Sequence, residues 1–171
     1  MKYLKITLLA LLTAALFYSC QEKKEIIKIE TKIIEAPKPV MAAWQSVESS
    51  LSVKETMDNL EKIVKSKGLT VFARINHSAG AEKVAMELRP TELLIFGNPK
   101  MGTLLMQSNQ EIGIDLPLKY LVYQNEAEKT IIKYLDGSAL ASRHSVTDKE
   151  MIIKKIDGAL GKMANAASQK K

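Results

Sequence analysis

Two histidines and one cysteine are the side chains of this sequence best suited to acid–base, nucleophilic or metal chemistry. The sequence contains neither an HExxH nor a GxSxG motif, and a pair of histidines is an incomplete ligand set for zinc. We therefore predict no metal and no cofactor. Histidine can still act as a general base near neutral pH. His77 and His144 are the candidates, with Asp115 or Tyr134 as a partner.

A predicted strand-to-helix turn at Gly97 is the clearest place for a binding site. The apolar run Leu93–Phe96 has the length of a buried strand, and Gly97 ends it. Asn98 is a favourable N-cap and Pro99 suits the first helical turn, so we predict a helix from Pro99 to about Ser108. Backbone N–H groups at a helix start can hold an anion, although a capping role alone is the simpler explanation of Asn98. The turn is not a P-loop, because the Gly-Lys-Ser/Thr ending is missing.

The N-terminal residues have the features of a secretory signal. Met1–Lys5 is basic, Ile6–Phe17 is an uninterrupted apolar run, and Ser19 precedes Cys20. The apolar run is too short to span a bilayer, which requires roughly twenty residues, and it fits the apolar region of a signal peptide. A small residue before a cysteine resembles the cleavage site of bacterial lipoproteins. We expect residues 1–19 to be a signal peptide, and Cys20 to carry a lipid that anchors the protein to a membrane of the bacterial cell envelope, facing the periplasm.

The remaining chain is predicted to be a tether over residues 20–43 and one folded domain over residues 44–171. Pro37 and Pro39 interrupt any regular structure in the tether. The chain is 46% apolar and 26% charged, which is typical of a globular domain with its own core. Although the net charge is +6, there are only three arginines and no basic stripe interleaved with aromatic residues. We therefore predict no nucleic-acid partner.

The pattern of apolar residues predicts strands interleaved with helices. Two Ser/Thr-x-x-Glu sequences, Ser52–Glu55 and Thr147–Glu150, have the spacing of capping boxes and precede amphipathic stretches. Leu69–His77 alternates as a strand does, which places His77 on the side of Leu69 at the rim of the core. Ser78 is then predicted to cap a short helix that ends near Met86. The other predicted strands are Val47–Leu51, Leu93–Phe96 and the hairpin Leu118–Tyr123 with Thr130–Leu135. This order indicates an α+β two-layer sandwich, a mainly antiparallel sheet packed by helices.

Several motifs between about Val47 and His144 carry a family resemblance. They are Ile75–Ala81, Leu88–Lys100 with Gly102–Thr103, Asp115–Lys119, Tyr134 and Arg143–His144. Together they resemble the bacterial family called domain of unknown function 302. Asn76 stands where that family commonly has Asp, and Leu118 where some branches have Cys, so neither an ionic partner for His77 nor a thiol role is transferred. The resemblance implies an α+β fold and a homodimer, and it brings no established activity.

The polar residues of these motifs are our candidate ligand-binding residues. A structural explanation of Arg89 is an ion pair with a carboxylate such as that of Asp115. Three hypotheses remain: a module that binds a small polar or anionic molecule at the Gly97–Thr103 turn, a hydrolase- or lyase-like enzyme with a histidine base, and a dimeric structural or interaction domain. The first requires the candidates to meet in one cavity. They are His77, Arg89, Asn98, Thr103, Asp115, Lys119, Tyr134 and His144.

Overall fold

The computed structural model describes residues 44–170, which form a sheet of five strands and several helices. The strand order is β1–β5–β4–β3–β2, and all neighbours are antiparallel. The predicted signal peptide, lipidated Cys20 and tether lie outside the described residues. The strands are β1 (Trp44–Ser49), β2 (Thr70–Asn76), β3 (Thr91–Gly97), β4 (Leu118–Gln124) and β5 (Thr130–Leu135). The helices are α1 (Val53–Ser66), α2 (His77–Glu82), α3 (Pro99–Ser108), α4 (Gly137–Arg143) and α5 (Glu150–Ala167), with a 3-10 turn at Gln110–Ile114.

The core lies between one face of the sheet and the helices. Strand residues that point to this face, such as Phe96 and Val122, are fully buried and pack with Leu60 of α1 and Leu160 of α5. Tyr120 stacks on Phe96 with ring centroids 4.9 Å apart, and its hydroxyl donates a 2.7 Å hydrogen bond to the carbonyl of Leu160. The predicted α+β two-layer sandwich is therefore confirmed, as is the β4–β5 hairpin.

Of the two capping boxes predicted from the sequence, one forms and the other does not. At α1, the Ser52 hydroxyl accepts a hydrogen bond from the Glu55 N–H (3.2 Å), and the Glu55 carboxylate accepts one from the Ser52 N–H (3.1 Å), so this capping box is confirmed. The second predicted box, Thr147–Glu150, is wrong. Helix α5 begins only at Glu150, and its N-cap, Lys149, makes no side-chain cap bond. The spacing was present, but the chain enters the helix two residues later than a Thr147 cap requires.

Two predictions at the end of β2 are wrong, and this strand also contains a β-bulge. The register with β3 shifts between Val71 and Ala73, so the simple alternation does not persist to the end of the strand. His77 does not end the strand at the rim of the core; it is the exposed first residue of α2. Asn76, not Ser78, caps α2 by accepting from the Ala79 N–H at 2.8 Å. The Ser78 hydroxyl accepts instead from the Thr91 N–H at the start of β3.

An ionic cluster around Arg74 joins the sheet to α1. The Arg74 guanidinium donates to Glu92 on β3 (2.6 Å) and to Asp58 and Glu61 on α1 (2.6 and 3.2 Å). The side chain of Glu92 is only 8% exposed, so its charge depends on this partner. Burial alone would lower the pKa of Arg74, but the three carboxylates outweigh burial and raise it. The guanidinium therefore stays charged and fixes β2, β3 and α1 to one another.

Candidate functional site

The Gly97 turn opens onto a groove of about 1100 Å³ between the helices. Its walls come from the C-terminal end of α1, the bulge of β2, the turn from β3 into α3, the segment around Pro117, and one face of α5. Asn98 caps α3 by accepting from the Met101 N–H at 3.2 Å, so the helix predicted from Pro99 to Ser108 is confirmed. The turn predicted to hold a binding site therefore forms one wall of this groove.

The groove exists because small residues on α5 keep its wall low. Gly158, Ala159 and Ala166 all line it. A Cβ added at Gly158 would have no atom within 4 Å, so the space beside this residue is open. Lys154, Gly158, Lys162 and Ala166 follow one another at four-residue steps and therefore share one face of the helix.

The floor of the groove is apolar. Phe96 and Leu160 are 0% and 1% exposed, and Leu105 and Met163 are nearly as buried. The walls above them carry Met101, Met106 and Leu118, and all of these side chains line the groove. Only Asn98 and Thr103 supply uncharged polar side chains among the 26 lining residues.

The charged residues of the groove have a single sign. Four lysines line it, and none of the 26 lining residues in the described chain is Asp, Glu or His. Lys154 forms an exposed ion pair with Glu150 at 2.6 Å. Within residues 44–170, no ion pair involves the other three lysines, Lys67, Lys155 and Lys162. These three charges are therefore free to attract an anion.

A second polar cluster is centred on Asp115, at the end of the 3-10 turn. Its carboxylate binds His144 Nε2 at 2.7 Å and Arg143 at 3.0 Å, and its backbone carbonyl accepts from Lys119 Nζ at 2.6 Å. Partial burial alone would raise the pKa of Asp115, but the hydrogen bonds from His144 and Arg143 outweigh it and hold the pKa below its ordinary value. This cluster joins the 3-10 turn, the start of β4 and the C-terminal end of α4, and none of its members lines either cavity.

Arg89 does not form the predicted ion pair with Asp115. Its Nε donates to the backbone carbonyl of Gln124 at 3.1 Å. The residue lines a shallower cavity of about 750 Å³ that opens on the helix-free face of the sheet, together with Glu87, Tyr123 and Lys133. In the structure, Asp115 pairs instead with Arg143 and His144. These residues are distant in the sequence, but the chain brings the C-terminal end of α4 next to the 3-10 turn.

His77 and Tyr134 lie in different environments. Asn76 pairs with Glu92, so His77 is near the start of β3, about 17 Å along the strand from Gly97. Tyr134 is 6% exposed and packs edge-on against Tyr120 with ring centroids 5.3 Å apart. Burial, with Asp136 and Asp157 nearby, raises the pKa of Tyr134. Tyr134 is therefore a core residue in this fold.

The structure thus divides the eight candidate residues among several places. Asn98 and Thr103 line the groove, while Asp115, Lys119 and His144 form one cluster. His77, Arg89 and Tyr134 lie elsewhere, so a single site made of all eight does not form. The four groove lysines were missed by the sequence reasoning. For Lys154 and Lys162, a sequence signal was the four-residue spacing of lysines and small residues along α5, which is also common on exposed helix faces. Lys67 and Lys155 lie outside that spacing.

Residues 44–170 contain no group of three or more His, Cys, Asp or Glu side chains arranged to hold a metal ion. No described helix combines the length and hydropathy needed to cross a membrane.

Comparison with known proteins identifies relatives for most of the chain. The family model for the domain of unknown function DUF302 matches residues 45–166. The crystal structure of an uncharacterized conserved DUF302 protein from Bacillus stearothermophilus shares the fold, with a TM-score of 0.58 and 22% identity over 73% of this chain and 94% of that one.

Curated relatives match a shorter part. The fluoride-specific ion channels FluC 1 of Brucella suis and of Brucella abortus are each 45% identical to this chain over 101 residues, 59% of its length. The chain spans only 40% and 37% of these two relatives. The similarity therefore concerns a part of each of them.

Proposed function

The chain belongs to the DUF302 family, a domain of unknown function, and we propose that this member is a small-ligand-binding module that takes up an anionic molecule in the groove beside the Gly97 turn. One observation carries the proposal: among the described residues, four lysines and no carboxylate line a mostly apolar cavity of about 1100 Å³. Ligand pockets are concave and mostly apolar, with a few polar groups that fix orientation. Cations beside a low-dielectric wall attract an anion more strongly than they would on an open surface.

Asn98 and Thr103 are the orienting groups of this proposal. The Asn98 side-chain oxygen is used by the helix cap, and its NH₂ group makes no hydrogen bond within the described residues. That NH₂ group and the exposed Thr103 hydroxyl are thus available to a ligand at the groove wall. The other candidate residues have structural contacts or lie outside the groove, so we give them no role in binding.

The binding test compares two glycine substitutions. Gly158→Leu places a side chain in the open groove, whereas Gly80→Leu adds the same side chain on α2, where a Cβ likewise meets no atom within 4 Å. Both glycines are helical, so both changes favour the helix. The chain from residue 20 with Cys20→Ser, which keeps every described residue, is titrated with the anionic dye anilinonaphthalene sulfonate. We expect Gly158→Leu to weaken dye binding at least tenfold and Gly80→Leu to leave it unchanged. Equal binding by all three proteins would refute the groove as the site.

We also propose that the module is held at a membrane of the cell envelope by a lipid on Cys20. The support is the sequence alone: a basic start, a short apolar run and Ser19 before Cys20. In the full-length chain, Cys20→Ser is expected to abolish acyl labelling. The variant protein is expected either to leave the membrane fraction or to remain unprocessed. Unchanged labelling in the variant would rule the anchor out.

Self-association is a second candidate function, favoured by the helix-free face of the sheet. Leu93, Ile95 and Leu121 alternate with buried core residues and so point to this face, where Trp44 is 54% exposed and Ile75 39%. Five strands cover about 24 Å by 20 Å, an extent that two sheets can pack face to face in a symmetric dimer. Leu121→Glu is expected to convert a dimer to monomer in sedimentation velocity, while Ser142→Glu, at an exposed position of α4, does not. A monomeric wild type at micromolar concentration would remove this candidate.

A further inference from the structure

The arrangement of charge and apolar surface in the groove says which class of anion fits it. The floor is formed by buried side chains of the sheet and of α3 and α5, such as Phe96, Leu105 and Leu160. The lysines stand at its exposed rim, with Lys67 after α1 and the others on α5. A ligand that satisfies both surfaces has an apolar body against the floor and an anionic group at the rim.

Other classes of anion match the groove less well. A small inorganic anion would leave the apolar floor unused, and the floor offers it no polar side chain. A sugar or nucleotide needs many directed hydrogen bonds, whereas only Asn98 and Thr103 provide uncharged polar side chains in the lining. The methionines Met101 and Met106 in the walls and Met163 in the floor instead provide flexible, polarizable surfaces that adapt to a chain of variable shape.

We propose that the ligand is a free single-chain aliphatic anion of the fatty-acid type, with its alkyl chain along the floor and its carboxylate among Lys67, Lys155 and Lys162. This inference rests on the proposed function, because it assigns a ligand class to the same groove. The lysines provide charge attraction without a fixed geometry, since an ammonium group is a point charge on a flexible stem. Affinity therefore comes mainly from the chain, and head-group selectivity from the sign of the charge.

The test is a chain-length series that displaces the dye. The probes are the straight-chain carboxylates from hexanoate to tetradecanoate, each below its micelle concentration. Each added CH₂ is expected to tighten binding about fourfold until the groove is filled. Dodecyltrimethylammonium, with the same tail and the opposite charge, is expected to bind at least tenfold more weakly than dodecanoate. Sodium phosphate and sodium fluoride are expected not to displace the dye.

Lysine variants distinguish the contribution of the anionic head group to affinity from that of the alkyl chain. Lys155→Gln with Lys162→Gln is expected to weaken every carboxylate by a similar factor, about tenfold, and to leave the change per CH₂ intact. Lys83→Gln, an exposed lysine outside the groove, is the control and is expected to behave as wild type.

Each negative result contradicts a different claim. If affinity does not change with chain length while Gly158→Leu still weakens dye binding, the aliphatic ligand class is overturned and the proposed binding module is not. Equal affinity for the ammonium compound would overturn the role of the lysines. Dye binding that ignores Gly158→Leu would overturn the proposed function itself. If only phosphatidylglycerol vesicles displace the dye, the groove binds a membrane lipid. If Gly158→Leu dissociates a dimer, the groove binds a second copy of the chain. Either result would overturn the proposal of a free ligand.

Discussion

Two of the arginines and three of the groove lysines are used in opposite ways. Arg74 meets three carboxylates, and Arg143 shares Asp115 with His144. Lys67, Lys155 and Lys162 have no acidic partner among residues 44–170. The paired charges join elements of the fold, whereas the unpaired charges surround a cavity. The presence of a charged residue therefore says little about function. Whether an opposite charge lies beside it is more informative.

The largest effect on stability is expected at Arg74. Arg74→Met keeps much of the side-chain volume but leaves Glu92 buried without its partner, and it also releases Asp58 and Glu61. We expect a loss of about 3 kcal/mol in the free energy of unfolding. Urea denaturation measures this loss, and dye binding in the groove is expected to be unchanged. A loss below about 1 kcal/mol would show that the cluster does not hold the sheet to α1.

The Asp115 cluster is expected to give a smaller effect. Asp115→Asn removes the charge that binds Arg143 and His144 but keeps the size of the side chain. We expect a loss of about 1 to 2 kcal/mol in urea denaturation. Glu126→Gln is the matched control, because Glu126 is exposed and makes no ion pair within the described residues. A lost turnover at unchanged stability in Asp115→Asn would instead favour a catalytic role for His144.

Acid should weaken both clusters for the same reason. The pKa values of Asp58, Glu61 and Asp115 are all held below their ordinary values by hydrogen bonds from basic side chains. A carboxylate whose pKa is lower in the folded state contributes stability above its unfolded pKa, and this stability is lost as the pH falls through the folded value. Stability is therefore expected to be level down to about pH 4 and to fall below it. Thermal unfolding between neutral pH and pH 3 measures the fall, which Arg74→Met should make shallower; a fall of equal size in that variant would contradict the assignment.

The smallest effect on stability is expected at the groove lysines. Lys155 and Lys162 are exposed and hold no element of the fold, so Lys155→Gln with Lys162→Gln should change the free energy of unfolding by less than about 0.5 kcal/mol. The same variant should lose affinity for the dye. If it loses stability comparable to that lost by Asp115→Asn, the contrast between paired and unpaired charges fails.

Local signals in the sequence determined much of the fold. The box at Ser52–Glu55, the Asn98 cap and the β4–β5 hairpin were predicted correctly because each depends on residues close together in the chain. The alternation of strands and helices likewise indicated the α+β sandwich, and the motifs indicated the family. The failures were also instructive. His77 and Ser78 were misplaced because Asn76, not Ser78, caps α2, so the helix begins at His77 and the strand ends before it.

Only the tertiary structure decided which polar side chains meet. The carboxylates around Arg74 lie 13 to 18 residues away in the sequence, and His144 lies 29 residues from Asp115. Nothing in the local pattern distinguishes those partners from other acidic residues. The groove depends on the same long-range packing, because the lysines of α5 line a cavity only where α1 and α3 face them. The sequence contains the residues of the site, and the packing of distant elements gives those residues a common cavity.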